Sequence, residues 1–302
     1  MKPIFPIYIP SKGRAGKTPA TKMFDKYGVP YRVIVEPQDH DNYAAHLDPA
    51  KLITLPDNNR GLVYARNFIK DHAVNAGAAR HWQFDDDVRA MRRMHKGHRI
   101  YMDAGMALAI AEQFTERYTN IALTAFNEGG FLPCNGTTQT QWPPFRLNYR
   151  CYTCFLMRND IPNRWRHRYN EDTDMTLQVL GDGWCTVLMN TLQFQGGTTN
   201  YGGKVTKVKG GQQQVYAEDG RLKMARDLER VWPGVVTTRR RWGRPQHKLR
   251  WAKFDTKLIR RDDIDWDAIE KGGPNEFGMT LKAVGNVKAK EMQRLLEEDS
   301  NA

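Results

Sequence analysis

The chain has 302 residues, 40% apolar and 11% aromatic, which is enough to bury a core and too rich in large side chains for a disordered polymer. Lysine and arginine number 46 against 34 aspartates and glutamates, and the resulting net charge of +12 suits a polyanionic partner. No apolar run approaches the roughly 20 residues of a membrane span, Met1-Lys2-Pro3-Ile4-Phe5 opens no signal-peptide core, and four cysteines suit reduced thiols in a cytoplasm better than a disulfide scaffold.

Residues 4–9 read as a first strand, followed by the polar loop Ser11-Lys12-Gly13-Arg14-Ala15-Gly16-Lys17. Thr18 suits an N-cap, Pro19 a first helical position and Gly28 a stop, so a helix is predicted between them. Residues 31–35 and 51–55 read as the second and third strands. Leu62, Ala65, Ile69, Ala73 and Ala76 recur at helical spacing up to Gly77. Residues 82–84 then lead into Asp85-Asp86-Asp87. This alternation predicts a parallel, doubly wound sheet, with ligands at the carboxyl ends of its strands, where the triple Asp falls. Met106, Ile110 and Phe114 mark a further helix. Strands are predicted over 120–126, 152–158 and 184–189, and a helix over 171–180 closed by Gly181. The Gly-, Thr-, Gln- and Lys-rich stretch 195–214 reads as a flexible loop of the kind used as a lid. A helix over about 216–231 precedes the basic tract Arg239-Arg240-Arg241-Trp242-Gly243-Arg244. The expected organisation is a domain over 1–235, with a donor half to about residue 100 and an acceptor half from 101, then a basic C-terminal appendage over 236–302.

Three adjacent carboxylates repel one another, and a divalent metal holding a diphosphate relieves that repulsion. Glu171-Asp172, opening a helix, supplies what the first cluster cannot, a base for an attacking hydroxyl. Together they point to metal-assisted transfer of a group from a nucleotide diphosphate. A run of acids also serves as a solvated face, and acids at a helix start also answer its dipole.

The order of motifs carries a resemblance. Ile9-Pro10-Ser11-Lys12-Gly13-Arg14, Val35-Glu36-Pro37, Gly61-Leu62-Val63-Tyr64-Ala65-Arg66-Asn67, Phe84-Asp85-Asp86-Asp87 and Glu171-Asp172-Thr173-Asp174 resemble, in that order, a nucleotide-sugar glycosyltransferase of the GT-A fold, a mixed sheet flanked by helices. The opening and the Phe-Asp-Asp-Asp-Val run are similar to the phage TET-associated glycosyltransferases, which act on hydroxymethylated cytosines in phage DNA. The resemblance implies a UDP-sugar donor, Mn2+ or Mg2+, DNA containing 5-hydroxymethylcytosine as acceptor, and the host-cell cytoplasm as location. It places Pro10, Ser11 and Arg14 beside the nucleotide, Glu36 at uracil or ribose, and Arg66 at the diphosphate or the carboxylates. Asp85 and Asp86 fall in the donor site, with Asp87 and Asp85 toward the metal. Glu171 and Asp172 match the acceptor-side motif of inverting members, in which the Asp deprotonates the acceptor. One departure stands out: Leu192-Gln193-Phe194-Gln195 lacks the His that many such enzymes use as a third metal ligand, and His247 is the nearest downstream candidate.

Arg164-Trp165-Arg166-His167-Arg168-Tyr169 precedes the acceptor-side acids. Its arginines would neutralise phosphates, and Trp165 or Tyr169 would stack on a base taken out of a duplex. Arg239, Arg240 and Arg241 would add phosphate contacts. Cys151-Tyr152-Thr153-Cys154, with Cys134 and Cys185, admits a zinc site, but strand alternation would send Cys151 and Cys154 to opposite faces, as small core residues. Transfer to a carbohydrate or protein acceptor, nucleotidyl transfer, and a non-enzymatic basic nucleic-acid-binding protein are the competing readings.

Overall fold

The computed structural model describes residues 2–95, 98–131, 143–196, 212–241 and 243–270. In chain order the elements are β1 (Ile7–Pro10), α1 (Pro19–Lys26), β2 (Arg32–Val35), α2 (His40–Ala44), β3 (Leu52–Thr54), α3 (Leu62–Asn75), β4 (Arg80–Phe84), β5 (Ala90–His95), β6 (His98–Met102) and α4 (Ala104–Glu116). They continue with β7 (Ile121–Glu128), β8 (Phe145–Leu147), β9 (Cys154–Arg158), α5 (Glu171–Gly181), β10 (Cys185–Gln195), α6 (Gln212–Val231), β11 (Val236–Arg241), β12 (Arg244–Leu249) and α7 (Trp266–Glu270).

One sheet runs β3-β2-β1-β4-β9-β7-β10-β5-β6, with β8 also on β10. Its first four strands are parallel, as the alternation predicts. Beyond them the directions mix: β9 enters antiparallel between β4 and β7, β7 and β10 are parallel, β5 joins β10 antiparallel, and β6 joins β5 antiparallel. The sheet is therefore mixed, as the resemblance implies, and the strand–helix alternation of the first half accounts for its parallel run β3-β2-β1-β4. For β5 the cause is connection length. Residues 85–89 between β4 and β5 are too few for the dozen or so that a parallel crossover needs.

Alternation along the strands splits the core into two layers. Ile7, Ile9, Val33, Val35, Trp82 and Phe84 face α1 and α4, packing on Phe24 and Leu108. Tyr8 and Ile34 turn the other way onto Ala65, Ile69 and Ala73 of α3, and Phe155 and Met157 pack on Met175 and Val179 of α5. Trp82, fully buried, stacks on Phe126 at 5.3 Å, and its Nε1 donates to Glu112 Oε1 at 2.7 Å. The same carboxylate accepts from the backbone of Ile4 and Phe5, fixing the chain's entry.

The basic tract is a hairpin, β11–β12, and not an isolated tail. Val236, Leu249 and Trp251 pack with Leu177 of α5 and Leu228 of α6. Beyond the hairpin, Asn148 Nδ2 donates to the carbonyls of Phe254 and Thr256, and Asn120 Nδ2 donates to that of Lys257 at 2.7 Å. Residues 254–260 thus form a strap tied to the main sheet. Most of the predicted 195–214 loop lies outside the described residues, as does Cys134. Cys151 and Cys154 are both buried, in the α5 layer and the α1/α4 layer respectively, so they cannot share an ion. Among the described residues no group of three or more His, Cys, Asp or Glu could hold a metal ion.

Candidate active site

The sheet brings the sequence motifs to one rim. Pro10 and Ser11 end β1, Glu36 follows β2, and the triple Asp follows β4. Because β1 lies between β2 and β4, these carboxyl ends are neighbours. Arg66 rises from α3 and Glu171 from the first turn of α5, both on the α3/α5 side.

Asp86 is a fastener. It is buried, its Oδ2 accepts from Ser11 Oγ at 2.5 Å, and its Oδ1 accepts from Arg14. Ser11 also pairs with the Tyr43 hydroxyl at 2.6 Å. The loop after β1 is thereby nailed to the triple Asp. Burial raises the Asp86 carboxyl despite Arg14 and Ser11. Glu36, also buried, is held by Lys12 and by Gln38 Nε2 at 2.6 Å, so it is an organised strand end and not a solvated one.

Asp85 points elsewhere. Its Oδ1 accepts from Arg66 Nη2 at 3.0 Å. Burial pushes its carboxyl up to about 6 against the pull of Arg66, with Asp87, Asp86 and Asp172 pushing the same way. Arg66 is 1% exposed, and its Nε, 3.8 Å from Glu171 Oε1, has no hydrogen-bond partner among the described residues. One guanidinium therefore stands between the two acidic motifs with a donor unspent. Behind it runs a buried relay. Arg66 Nη1 donates to Gln83 Oε1 at 3.1 Å, Gln83 Nε2 donates to His81 Nε2 at 2.9 Å, and His81 meets Asn159 Oδ1 through Nδ1 at 2.5 Å. This network assigns the proton to Nδ1. Burial lowers His81 to about 4, so the ring is neutral.

In the first turn of α5, Asp172 Oδ2 takes Arg150 Nη2 at 2.5 Å and Nε at 3.1 Å, and its Oδ1 takes the Thr173 N–H at 2.6 Å. Burial would raise Asp172, but Arg150 and Thr173 more than offset it and its carboxyl lies low. Glu171 is raised by burial and then by the Asp172 charge, with Arg66 opposing. Asp174, fully buried, takes no part. It accepts from Arg166 at 3.0 Å, Gln178 Nε2 at 2.8 Å and Trp232 Nε1 at 2.8 Å.

These bonds correct the nucleic-acid assignment of the 164–169 run. Trp165 is buried against Phe155, because Asn67 pairs with both its backbone N–H and its carbonyl and turns the indole inward. Tyr169 is also buried, so neither ring can stack on a base. Arg166 is spent on Asp174 and Arg164 on Asp71 at 2.5 Å, while Arg168 lies over Tyr169. Arg239, Arg240 and Arg241, by contrast, are exposed on β11.

Asp85 and Asp87 offer two carboxylates to a divalent cation. With no third ligand among the described residues, such a cation would complete its shell from donor phosphate oxygens and water, a set that Mg2+ and Mn2+ accept. The residues present fit a metal on those terms. Sequence reasoning missed Arg150, the Gln83–His81–Asn159 relay and the β5–β6 pair. The even spacing of His81 and Gln83 on a strand that faces α3 was the signal for the relay.

The model of the family described as TET-Associated Glycosyltransferase matches residues 5–203. No curated protein matches the chain. Among solved structures, the chain is similar to A197 from STIV, at 12% identity and a TM-score of 0.39 over 64% of this chain and 84% of that one. It is also similar to a putative nucleotide-diphospho-sugar transferase from Desulfovibrio desulfuricans, at 11% identity and a TM-score of 0.38 over 61% and 78%. A third is a mannose-1-phosphate geranyltransferase from Thermus thermophilus, at 13% identity and a TM-score of 0.33 over 78% and 65%.

Proposed function

This chain belongs to the TET-associated glycosyltransferase family, and from that premise we propose that it moves a sugar from a UDP-sugar to the hydroxymethyl oxygen of 5-hydroxymethylcytosine in DNA, with inversion. The observation that carries the chemistry is Arg66, buried between Asp85 and Glu171 with its Nε unspent. A charged donor held there in a dry site meets charge developing on a leaving diphosphate at little reorganisation cost.

The reaction forms a bond from the acceptor oxygen to the anomeric carbon. It breaks the bond from that carbon to the diphosphate oxygen, which leaves with the electron pair. The acceptor proton passes to the Glu171–Asp172 pair, in which burial and then the Asp172 charge raise the Glu171 carboxyl. Arg150 and Thr173 hold Asp172 in orientation, and Arg66 holds Glu171 from the donor side. Asp87 and Asp85 would hold Mn2+ or Mg2+, which when bound neutralises the diphosphate and improves it as a leaving group. Ser11, Arg14 and Asp86 shape the loop that borders the nucleotide, beside Pro10 and Glu36.

Charge supports DNA as the acceptor. The balance is +12, Arg239, Arg240 and Arg241 stand exposed on one strand, and Lys17, Lys22, Lys26 and Arg89 line a cleft of about 460 Å³ that has no acidic lining residue. The test is nucleoside mass spectrometry after incubating 5-hydroxymethylcytosine DNA with a panel of UDP-sugars and Mn2+. The expected result is a modified nucleoside heavier by one sugar residue, with matching UDP release. UDP-sugar turnover that labels carbohydrate or protein acceptors and leaves the DNA unmodified would overturn the proposal.

A further inference from the structure

The stretch that follows the triple Asp is one-sided in charge. Residues 88–102 contain Arg89, Arg92, Arg93, Lys96 and Arg99, two histidines and no acid; Lys96 itself lies outside the described residues. Most of this stretch is the β5–β6 pair. Met91 and Met102 oppose each other and face the core. The next register position opposes Arg92 to Tyr101, and alternation turns both to the other side, the α3/α5 side of the sheet.

Tyr101 is 65% exposed, the one aromatic ring among the described residues that lies largely in solvent. It is nonetheless held. The Arg92 guanidinium sits 4.6 Å from its ring centroid, and Arg92 Nη2 donates to the Tyr101 hydroxyl and to Gln195 Oε1, both at 2.9 Å. A cation backs one face of the ring and water meets the rest. The pair adjoins the reacting centre: Arg89, two residues past Asp87, donates its N–H to the Gln195 carbonyl at 2.8 Å, and Gln195 pairs with Ala90. Arg99 reaches from the same face of β6 to the Gly129 carbonyl, at the end of β7.

An exposed aromatic on an edge strand gains little from burial and invites aggregation, so a rigid, cation-backed ring beside a reacting centre needs a partner. An acceptor base drawn out of its stack leaves a neighbouring base with an uncovered face. Stacking on an aromatic covers it without regard to sequence, and the surrounding cations match the phosphates on either side. We propose that Tyr101, backed by Arg92, is a stacking platform for a nucleobase flanking the acceptor nucleotide, a site that rests on the DNA acceptor argued above.

The test is a cycle of two changes, Tyr101→Ala in the enzyme and an abasic site in place of the base flanking 5-hydroxymethylcytosine, on each side in turn. Turnover by wild type is expected to drop about tenfold in kcat/KM when the stacked base is removed from one side, the scale of one base on one aromatic. Tyr101→Ala should start about tenfold lower on intact DNA and show no further drop on abasic DNA. Tyr101→Phe, which keeps the ring, should retain the wild-type response. Wild type indifferent to both abasic sites overturns the platform, as does Tyr101→Ala as sensitive as wild type, or Tyr101→Phe behaving like Tyr101→Ala. Wild type transferring no sugar to any 5-hydroxymethylcytosine DNA would instead fell the acceptor assignment, and the platform with it.

Discussion

The triple Asp after β4 and the acidic run opening α5 divide their carboxylates in the same way. In each, one acid faces into the protein and fastens a loop: Asp86 takes Ser11 and Arg14, and Asp174 takes Arg166, Gln178 and Trp232. In each, another faces Arg66, across which Asp85 and Glu171 meet. Acids adjacent in sequence thus do different work according to the direction in which the backbone aims them. Donors surround Asp86 and Asp174, whereas at the meeting of Asp85 and Glu171 a donor is left over, Arg66 Nε.

Substitutions at the two kinds of acid should separate activity from stability. The largest effect is expected at Asp87. Asp87→Asn should leave no detectable transfer with Mn2+ while the thermal midpoint stays near wild type; full activity would remove Asp87 from the metal. Asp172→Asn should cut transfer on the order of 10²–10⁴-fold and keep UDP-sugar affinity by calorimetry. Lost donor affinity would move Asp172 to the donor side. Asp174→Asn should do the reverse. Breaking its network should cost about 3 kcal/mol of stability, toward the low end for a buried pair because Arg166 is half-exposed, as read from denaturant unfolding. An unchanged midpoint with lost activity would show that Asp174 acts in the pocket.

The relay behind Arg66 sets a pH-dependent term of similar size in stability. His81 holds its neutral form down to about 4 in the folded chain, against 6.5 when free. Between those values the unfolded chain binds the proton and the folded chain does not. Stability contributed by His81 is therefore intact above pH 6.5 and falls by about 3 kcal/mol as pH drops to 4. Unfolding curves of His81→Gln should lack that part of the slope, and an identical pH dependence would show the ring is not held neutral.

The smallest effect concerns the two arginine groups. Neutralising Arg164, Arg166 and Arg168 should leave the salt dependence of DNA binding as it is. Neutralising Arg239, Arg240 and Arg241 should flatten log K against log salt by roughly 0.9 for each lost phosphate contact. The opposite pattern would return the 164–169 run to the DNA surface.

The two acidic motifs, the strand before the first and the helix at 62–75 were legible because their signals are local: periodicity, a Gly stop, acids at a strand end. What escaped was set by pairing. The antiparallel entry of β9 depends on which strands it lies between. The β5–β6 pair hides behind Arg, His and Met in place of the branched and aromatic residues that announce a strand. Arg164-Trp165-Arg166 reads as a binding surface by composition, and only the presence of Asp71, Asp174 and Asn67 around it shows that the run is spent internally. Arg150 is a lone basic residue in a loop, and nothing local links it to Asp172.

The strap after the basic hairpin also decides how the molecule would bear force. A pull applied at residue 270 is met first where Arg261 donates its N–H to the Arg117 carbonyl and the Ile259 carbonyl accepts from Thr119, and then by the amides of Asn120 and Asn148, whose bonds to the carbonyls of Phe254, Thr256 and Lys257 tie the strap to the sheet. While those bonds hold, no tension reaches the hairpin or α6. A partner fused or tethered beyond that point would drag on the chain without tilting α5, whose first turn carries Glu171 and Asp172.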